Sequence, residues 1–432
     1  MLDIRYIREN PEAVQDNAKN KGYKVDIGQL LQLDSDRRLL QQKVDELREK
    51  RNENVAKIKG GKPSEDLVSE GKRIKAELAD IEPKLKDVEE QYTAILKQVP
   101  NMALKDVPIG QSEDENVVSK VVGEPTQFSF TPRNHAEIAE LRGWIDKERA
   151  AKVAGSRFAY IEGDLVKLQL AIVQFVINTL SDETRISEIA TGASLNINTR
   201  PMTPILPPLL IRTDIYDAMD RLEPRDERYQ LVDDDLWLQG SAEHVLGSMH
   251  SNEIFEEADL PRRYIGYATS FRREAGAYGK DMEGIFRMHQ FDKLEMESFT
   301  VAEDGTSEHM LFVAIQEYLI SQLGLPYRVL KKCTYDIGKP NASGYDMEVW
   351  LPGQDKYRET HTADYMTDYQ ARRLNTRVRR LDGNLELIHT NDATAFALGR
   401  IMIAIIENNQ TEDGHIVVPG VLRPYLGGRE VL

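Results

Sequence analysis

Residues 271–297, FRREAGAYGKDMEGIFRMHQFDKLEME, collect side chains that could hold a nucleotide beside an amine. Their period predicts a strand, a polar Gly-punctuated connection and a second strand, making a β-hairpin with a long tip. Alternation along the second strand sets Arg287, His289, Phe291, Lys293, Glu295 and Glu297 on one face. Phe286, Met288, Leu294 and Met296 form the apolar opposite face. The first strand places Ser270, Arg272 and Glu274 together. A guanidinium suits phosphate, a ring suits a flat base, and a carboxylate suits an ammonium group. The same pattern also describes a half-buried hairpin whose outer face is solvated and ion-paired.

Other elements must position such a set. Residues 1–28 hold short amphipathic segments that break at Pro11 and Gly22. A helix is expected from about Leu30 to Ile58, stopped by GGKPS at 60–64. In the next run Ile74, Leu78, Ile81, Leu85, Val88, Tyr92, Ile95 and Val99 alternate steps of four and three, a coiled-coil heptad. The two helices should pair as an antiparallel hairpin about 45 Å long, with Pro83 kinking the second. A Pro- and Asp-bearing connector at 99–115 puts the domain boundary near residue 105. Residues 165–182 read as an amphipathic helix, and 345–373 as strands carrying Glu348 and Glu359. In 389–410, Arg400 is the single charge between Phe396 and Ile406 of an apolar helix. Such a guanidinium must be ion-paired or meet an anion.

The 432 residues exceed one ordinary core, and 41% hydrophobic with 30% charged residues is the composition of a folded, soluble protein. There is no apolar run near the ~20 residues of a membrane span and no secretory signal at the start. The lone Cys333 excludes an intrachain disulfide and a multi-cysteine zinc site. These features lead us to expect a cytoplasmic protein without a membrane partner. A net charge of −16 is unfavourable for a nucleic-acid partner, but binding depends on local patches. Residues 41–62 carry Lys43, Arg48, Lys50, Arg51, Lys57, Lys59 and Lys62 against Asp45, Glu46, Glu49 and Glu53. That basic stripe suits phosphate, or equally a solvated helix face.

The FRREAG…RMHQFDKLE segment resembles motif 2 of the class II aminoacyl-tRNA synthetases, in the form found in seryl-tRNA synthetases of the bacterial type. The resemblance extends to LQGSAEHVLG (238–247), to the proline of TPILPPLLIR (203–212, Pro207 or Pro208) as motif 1, to HTNDATAFALGR as motif 3, and to the tail VVPGVLRPYLGG. It implies an α+β chain: an N-terminal antiparallel coiled-coil arm, residues 1–104, that binds tRNA, and an antiparallel β-sheet catalytic domain flanked by helices, residues 105–432. The implied activity is ATP-dependent conversion of L-serine to seryl-adenylate, then transfer to the 3′ end of tRNA(Ser), by a homodimer using ATP and Mg²⁺. Arg272 would hold the α-phosphate and the serine carboxylate, and Arg400 the γ-phosphate, as the two catalytic groups. Glu274 would contact adenine, Phe291 would stack on it, and Arg287 would bind the phosphate tail. Ser241, Glu243, Glu295, Thr362, Asp392 and Thr394 would line the serine subsite, with Glu295 accepting the ammonium. Glu359 and Thr362 would hold magnesium. The cations from Lys43 to Lys62 would meet tRNA.

Three departures from the family pattern bear on substrate: Ser241 replaces threonine, residues 361–366 replace a small Ser/Cys-rich run with an Asn, and Asp392 replaces asparagine. Residues 189–202 also do not match. Two other readings stand beside this one. One is a synthetase-like ligase for another small amino acid, loading tRNA or a carrier protein; the other is a non-catalytic RNA-binding paralogue.

Overall fold

The computed structural model describes residues 1–58, 64–274 and 284–432. Cα packing divides the chain into two units, Met1–Met102 and Ala103–Leu432. In the first, two short helices precede α1 (Ile27–Ile58) and α2 (Glu65–Leu96). At 1.5 Å per residue each long helix spans about 48 Å. Ser64 caps α2 by accepting from the Leu67 amide, and Glu65 and Asp66 favour its positive end. The seam holds Val44, Ile74, Leu78 and Leu85, flanked by Leu40, Leu47 and Ile81. Buried Asn54 donates across it to the Leu67 carbonyl at 3.2 Å. The first long helix starts three residues earlier than its periodicity suggests, and Pro83 lies inside α2 without ending it. The GGKPS turn, apart from Ser64, lies outside the described residues, as do Lys59 and Lys62.

The second unit is an eight-stranded sheet. Its strands are β1 (Val117–Val122), β2 (Thr203–Ile205), β3 (Arg262–Phe271), β4 (Gln290–Thr300), β5 (Tyr327–Lys331), β6 (Ser343–Leu351), β7 (Lys356–Thr367) and β8 (His389–Ala397). The spatial order is β1-β5-β6-β7-β8-β4-β3-β2, antiparallel throughout except for the parallel β2–β3 pair. Helices α3 (Asp164–Leu180), α4 (Gly305–Gln322) and α5 (Leu398–Asn408) cover one face. There Ile172, Val176, Phe312, Ile315, Met402 and Ile405 meet Leu294, Met296, Met347 and Ala393 in one apolar core. The opposite face is left to polar side chains.

Strand β3 ends at Phe271 and β4 begins at Gln290. Past these ends Arg272 and His289 are still joined by a backbone hydrogen bond of 3.0 Å, whereas Glu274 and Arg287 lie outside the ladder. Glu274 has φ +51°, a left-handed conformation incompatible with continuing the strand. Similarly, Phe396 belongs to β8; the helix bearing Arg400 starts only at Leu398. The stretch that matches no family pattern is also pinned. Arg263 donates to the carbonyls of Asn198 (2.7 Å) and Arg200 (2.5 Å), while its Nε bonds Glu308 at 2.9 Å. Both members of that ion pair are fully buried.

Candidate active site

Two one-residue bulges decide which side chains reach the polar face. On β7, Glu359 pairs with Glu348 and His361 with Met347, so Thr360 is the extra residue. Regular alternation would put Glu359 and His361 on the same side. The bulge instead sends His361 towards the core, 5.1 Å from the Phe396 ring, and leaves Glu359 and Thr362 on the site face. On β8, Thr394 pairs with Glu295 and Phe396 with Leu294, making Ala395 the second bulge. It turns Phe396 inward and Thr394 outward. From α4, Gln316 donates to the carbonyls of Thr362 (2.7 Å) and Thr394 (2.8 Å), tying both bulged strands to one helix.

Arg272, Glu274, Arg287, Phe291, Glu359, Thr362, Thr394 and Arg400 line one cavity of about 130 Å³. It shares Phe286, Arg287, Glu359 and Arg400 with an adjoining polar cavity of about 440 Å³. Arg272 Nε donates to the Gly240 carbonyl at 2.8 Å, and its guanidinium lies 5.5 Å from the Phe291 ring centroid. Arg287 bonds the Glu274 carboxylate at 2.9 Å. Arg400, in the first turn of α5, bonds the Glu359 carbonyl at 2.8 Å and its carboxylate at 3.1 Å. The Arg400 ion pair allowed for by the sequence is thus present, at the rim of a cavity. Withdrawal from water pushes the Glu359 carboxyl up, but Arg400, Lys332 and Arg272 outweigh this and hold it below its ordinary range. The guanidinium groups of Arg358 (4.0 Å) and Arg400 (5.0 Å) both lie over the Phe286 ring, measured to its centroid.

Behind this cavity lies a more deeply buried set: Ser241, Glu243, Glu295 and Asp392. Lys293, which the sequence reading gave no role, closes it. Its ammonium lies 2.5 Å from Glu295 Oε2, 2.9 Å from Ser241 Oγ and 3.9 Å from Glu243 Oε2. A substrate ammonium reaching Glu295 would have to displace it. Burial, reinforced by Glu243 and Asp392, pushes the Glu295 carboxyl up to about 8 against the pull of Lys293. Glu243 is held well below its usual range despite burial, by Lys293, His244 and Arg221.

Asp392 pairs across the strands with Glu297 on one side and Asp364 on the other, giving three carboxyls in one row. Arg221 donates to Asp392 Oδ2 at 3.3 Å and to Asn341 Oδ1 at 3.4 Å. Burial pushes Asp392 up to about 7 although Arg221 opposes it. Lys332 bonds Asp364 (3.2 Å) and the Thr362 hydroxyl (3.3 Å). Arg221 comes to the site through tertiary packing and carries no local motif. Phe286, expected on the apolar face of the hairpin, also lines the cavity. Lys293 did lie on the polar face of the expected strand, so its position was available but its partners were not.

Among the candidate arm cations, Lys43, Arg48, Lys50, Arg51 and Lys57 are exposed on α1, and Arg48 bonds Glu82 at 2.9 Å.

A family model described as "Seryl-tRNA synthetase N-terminal domain" matches residues 1–103. Another, "tRNA synthetase class II core domain (G, H, P, S and T)", matches residues 227–409. The chain is similar to a serine–tRNA ligase of Thermotoga neapolitana, 40% identical over 436 residues and 99% of each chain. It is 37% identical to one from Thermodesulfovibrio yellowstonii, again over 99% of each. Among solved structures it is similar to the seryl-tRNA synthetase of Pyrococcus horikoshii complexed with ATP, with TM-score 0.88 and 34% identity. That match covers 100% of this chain and 99% of the other. The cytoplasmic serine–tRNA ligase of Naegleria fowleri in complex with AMP gives TM-score 0.84 and 27% identity, covering 100% and 98%.

Proposed function

The chain belongs to the seryl-tRNA synthetase family of class II synthetases, and from that premise we infer how its residues do the work. It activates L-serine with ATP and transfers the seryl group to the 3′ end of tRNA(Ser). The carboxylate oxygen of serine bonds to the α-phosphorus as the α–β anhydride breaks and pyrophosphate leaves. A terminal tRNA hydroxyl then displaces AMP. That carboxylate is already ionised, so positioning and charge neutralisation supply most of the acceleration.

Arg272, oriented through Gly240, neutralises the carboxylate and α-phosphate. Phe291 stacks on adenine beside Glu274. Arg287 and Arg400 exchange their present carboxylate partners for the phosphate tail. Glu295 and Glu243 take the serine ammonium in place of Lys293, while Ser241, Asp392 and Thr394 surround the side chain. The half-exposed, ionised Glu359 and the hydroxyl of Thr362 share a face and offer the hard oxygen donors that Mg²⁺ takes. Bound there, magnesium would neutralise developing phosphate charge. The observation that carries this assignment is the convergence of Phe291, Arg272 and Arg400 on one cavity, with Lys293 at its floor.

The arm, residues 1–104, would grip the tRNA through Lys43, Arg48, Lys50, Arg51, Lys57, Lys59 and Lys62. A homodimer is supported by an apolar surface cavity of about 280 Å³ lined by Ile205, Pro207, Pro208, Leu210 and Leu246, next to 79%-exposed Leu206. A monomeric mass in solution would overturn the dimer. Amino-acid-dependent ATP–pyrophosphate exchange across the common amino acids tests the activity. Exchange with serine alone supports it; exchange only with another amino acid, or with none, replaces it. Deleting residues 36–96 should spare exchange and abolish tRNA charging.

A further inference from the structure

The subsite behind Lys293 contains more carboxyls than serine needs. Glu243, Glu295, Glu297 and Asp392 meet there, and the cations among them are Lys293 and Arg221. Glu295 has Lys293, Glu243 has His244 at 3.3 Å, and Asp392 has Arg221. Among the described residues Glu297 has no such partner. It is fully buried, and neither carboxyl oxygen makes a hydrogen bond. Its strand position fixes where it points: two residues beyond Glu295 on the same face of β4, directly opposite Asp392. A carboxyl left without a partner in such a place costs free energy unless a ligand supplies one.

Serine brings one cation, its α-ammonium, which Glu295 and Glu243 take. Its hydroxyl cannot neutralise a second carboxyl, and burial beside Asp392, Glu243 and Glu295 pushes that of Glu297 well above its ordinary range until a cation enters. The isostere with an amino group on Cβ can supply that cation, and needs no more room than serine does. On the reading that this pocket takes serine, we propose that it also activates L-2,3-diaminopropionate, with the β-ammonium ion-paired to Glu297 and Asp392. The chemistry is unchanged: the α-carboxylate oxygen bonds to the α-phosphorus, the α–β anhydride breaks and pyrophosphate leaves.

The test is pyrophosphate exchange by the full-length protein with L-serine and with L-2,3-diaminopropionate as separate substrates. Exchange with both is expected. Glu297→Gln keeps the shape and removes the charge, and it should lower the diaminopropionate-to-serine ratio of kcat/KM by about tenfold or more. Exchange with serine but none with diaminopropionate overturns the inference, whatever the variant does. A ratio unmoved by Glu297→Gln also overturns it. Absence of exchange with either compound removes the serine assignment and this inference together.

Discussion

Arg400 illustrates how a side chain can satisfy a structural and a chemical demand at once. Its ion pair with Glu359 is a partly exposed contact, 25% and 52% by side chain, and so worth little to stability. Arg400→Ala should therefore leave the fold and melting temperature nearly unchanged while lowering exchange by about 10²–10³-fold, as loss of a transition-state donor does. A large drop in melting temperature with proportionate loss of activity would make it a structural arginine. Glu295 yields a pH dependence. With its carboxyl raised to about 8, the protein holds a proton in the folded state that the unfolded chain releases near its ordinary ~4.5. Stability from this group is complete at low pH and falls as pH rises through that window. Ammonium capture needs the ionised form, so kcat/KM for serine should climb as pH approaches 8. Glu295→Gln should flatten both profiles. A serine profile flat from pH 6 to 8 in the unaltered protein would remove Glu295 from ammonium binding.

At the scale of elements, the site depends on two bulges and on a tie from the far face. Periodicity made the arm helices, α3 and the β3–β4 hairpin legible, because each has a long amphipathic repeat. The bulges were not legible. An added residue in a strand has no compositional mark, so reading β7 and β8 by strict alternation would put Glu359 with His361 and Thr394 with Phe396. Only family resemblance selected Glu359 and Thr362, by matching positions and not by geometry. Burial of Arg263 was equally invisible, since an arginine on a strand reads as exposed. It joins β3 to α4 and holds the carbonyls of the unmatched 189–202 stretch. Arg263→Ala strands Glu308 and two carbonyls without a donor, and should destabilise the protein by about 3–5 kcal/mol. The double variant Arg263→Met/Glu308→Leu, of similar volume, should recover much of that in chemical denaturation. If Arg263→Ala costs less than about 1 kcal/mol, the pair is not a determinant of this fold.

For the molecule as a whole, the problem is charge. A protein at −16 repels RNA at long range, so association must rely on a local source of attraction. Lys43, Lys50, Arg51 and Lys57 are exposed on α1, whereas Arg48 is engaged by Glu82. Phosphate contacts release counterions, and each contact contributes about −0.9 to the slope of log affinity against log salt on duplex nucleic acid. Converting Lys43, Lys50 and Lys57 to Gln should reduce the magnitude of that slope for tRNA binding by about 2–3 and weaken charging at low salt. Arg48→Gln should do less, because its charge is already answered by Glu82. Pyrophosphate exchange requires no tRNA and should be insensitive to all four changes. That separation is the decisive part of the experiment. A uniform loss of exchange would mean the substitutions had damaged folding, and an unchanged salt slope would mean the α1 stripe is only a solvated face. A smaller slope with intact exchange would place RNA recognition on the arm, apart from the chemistry on the sheet.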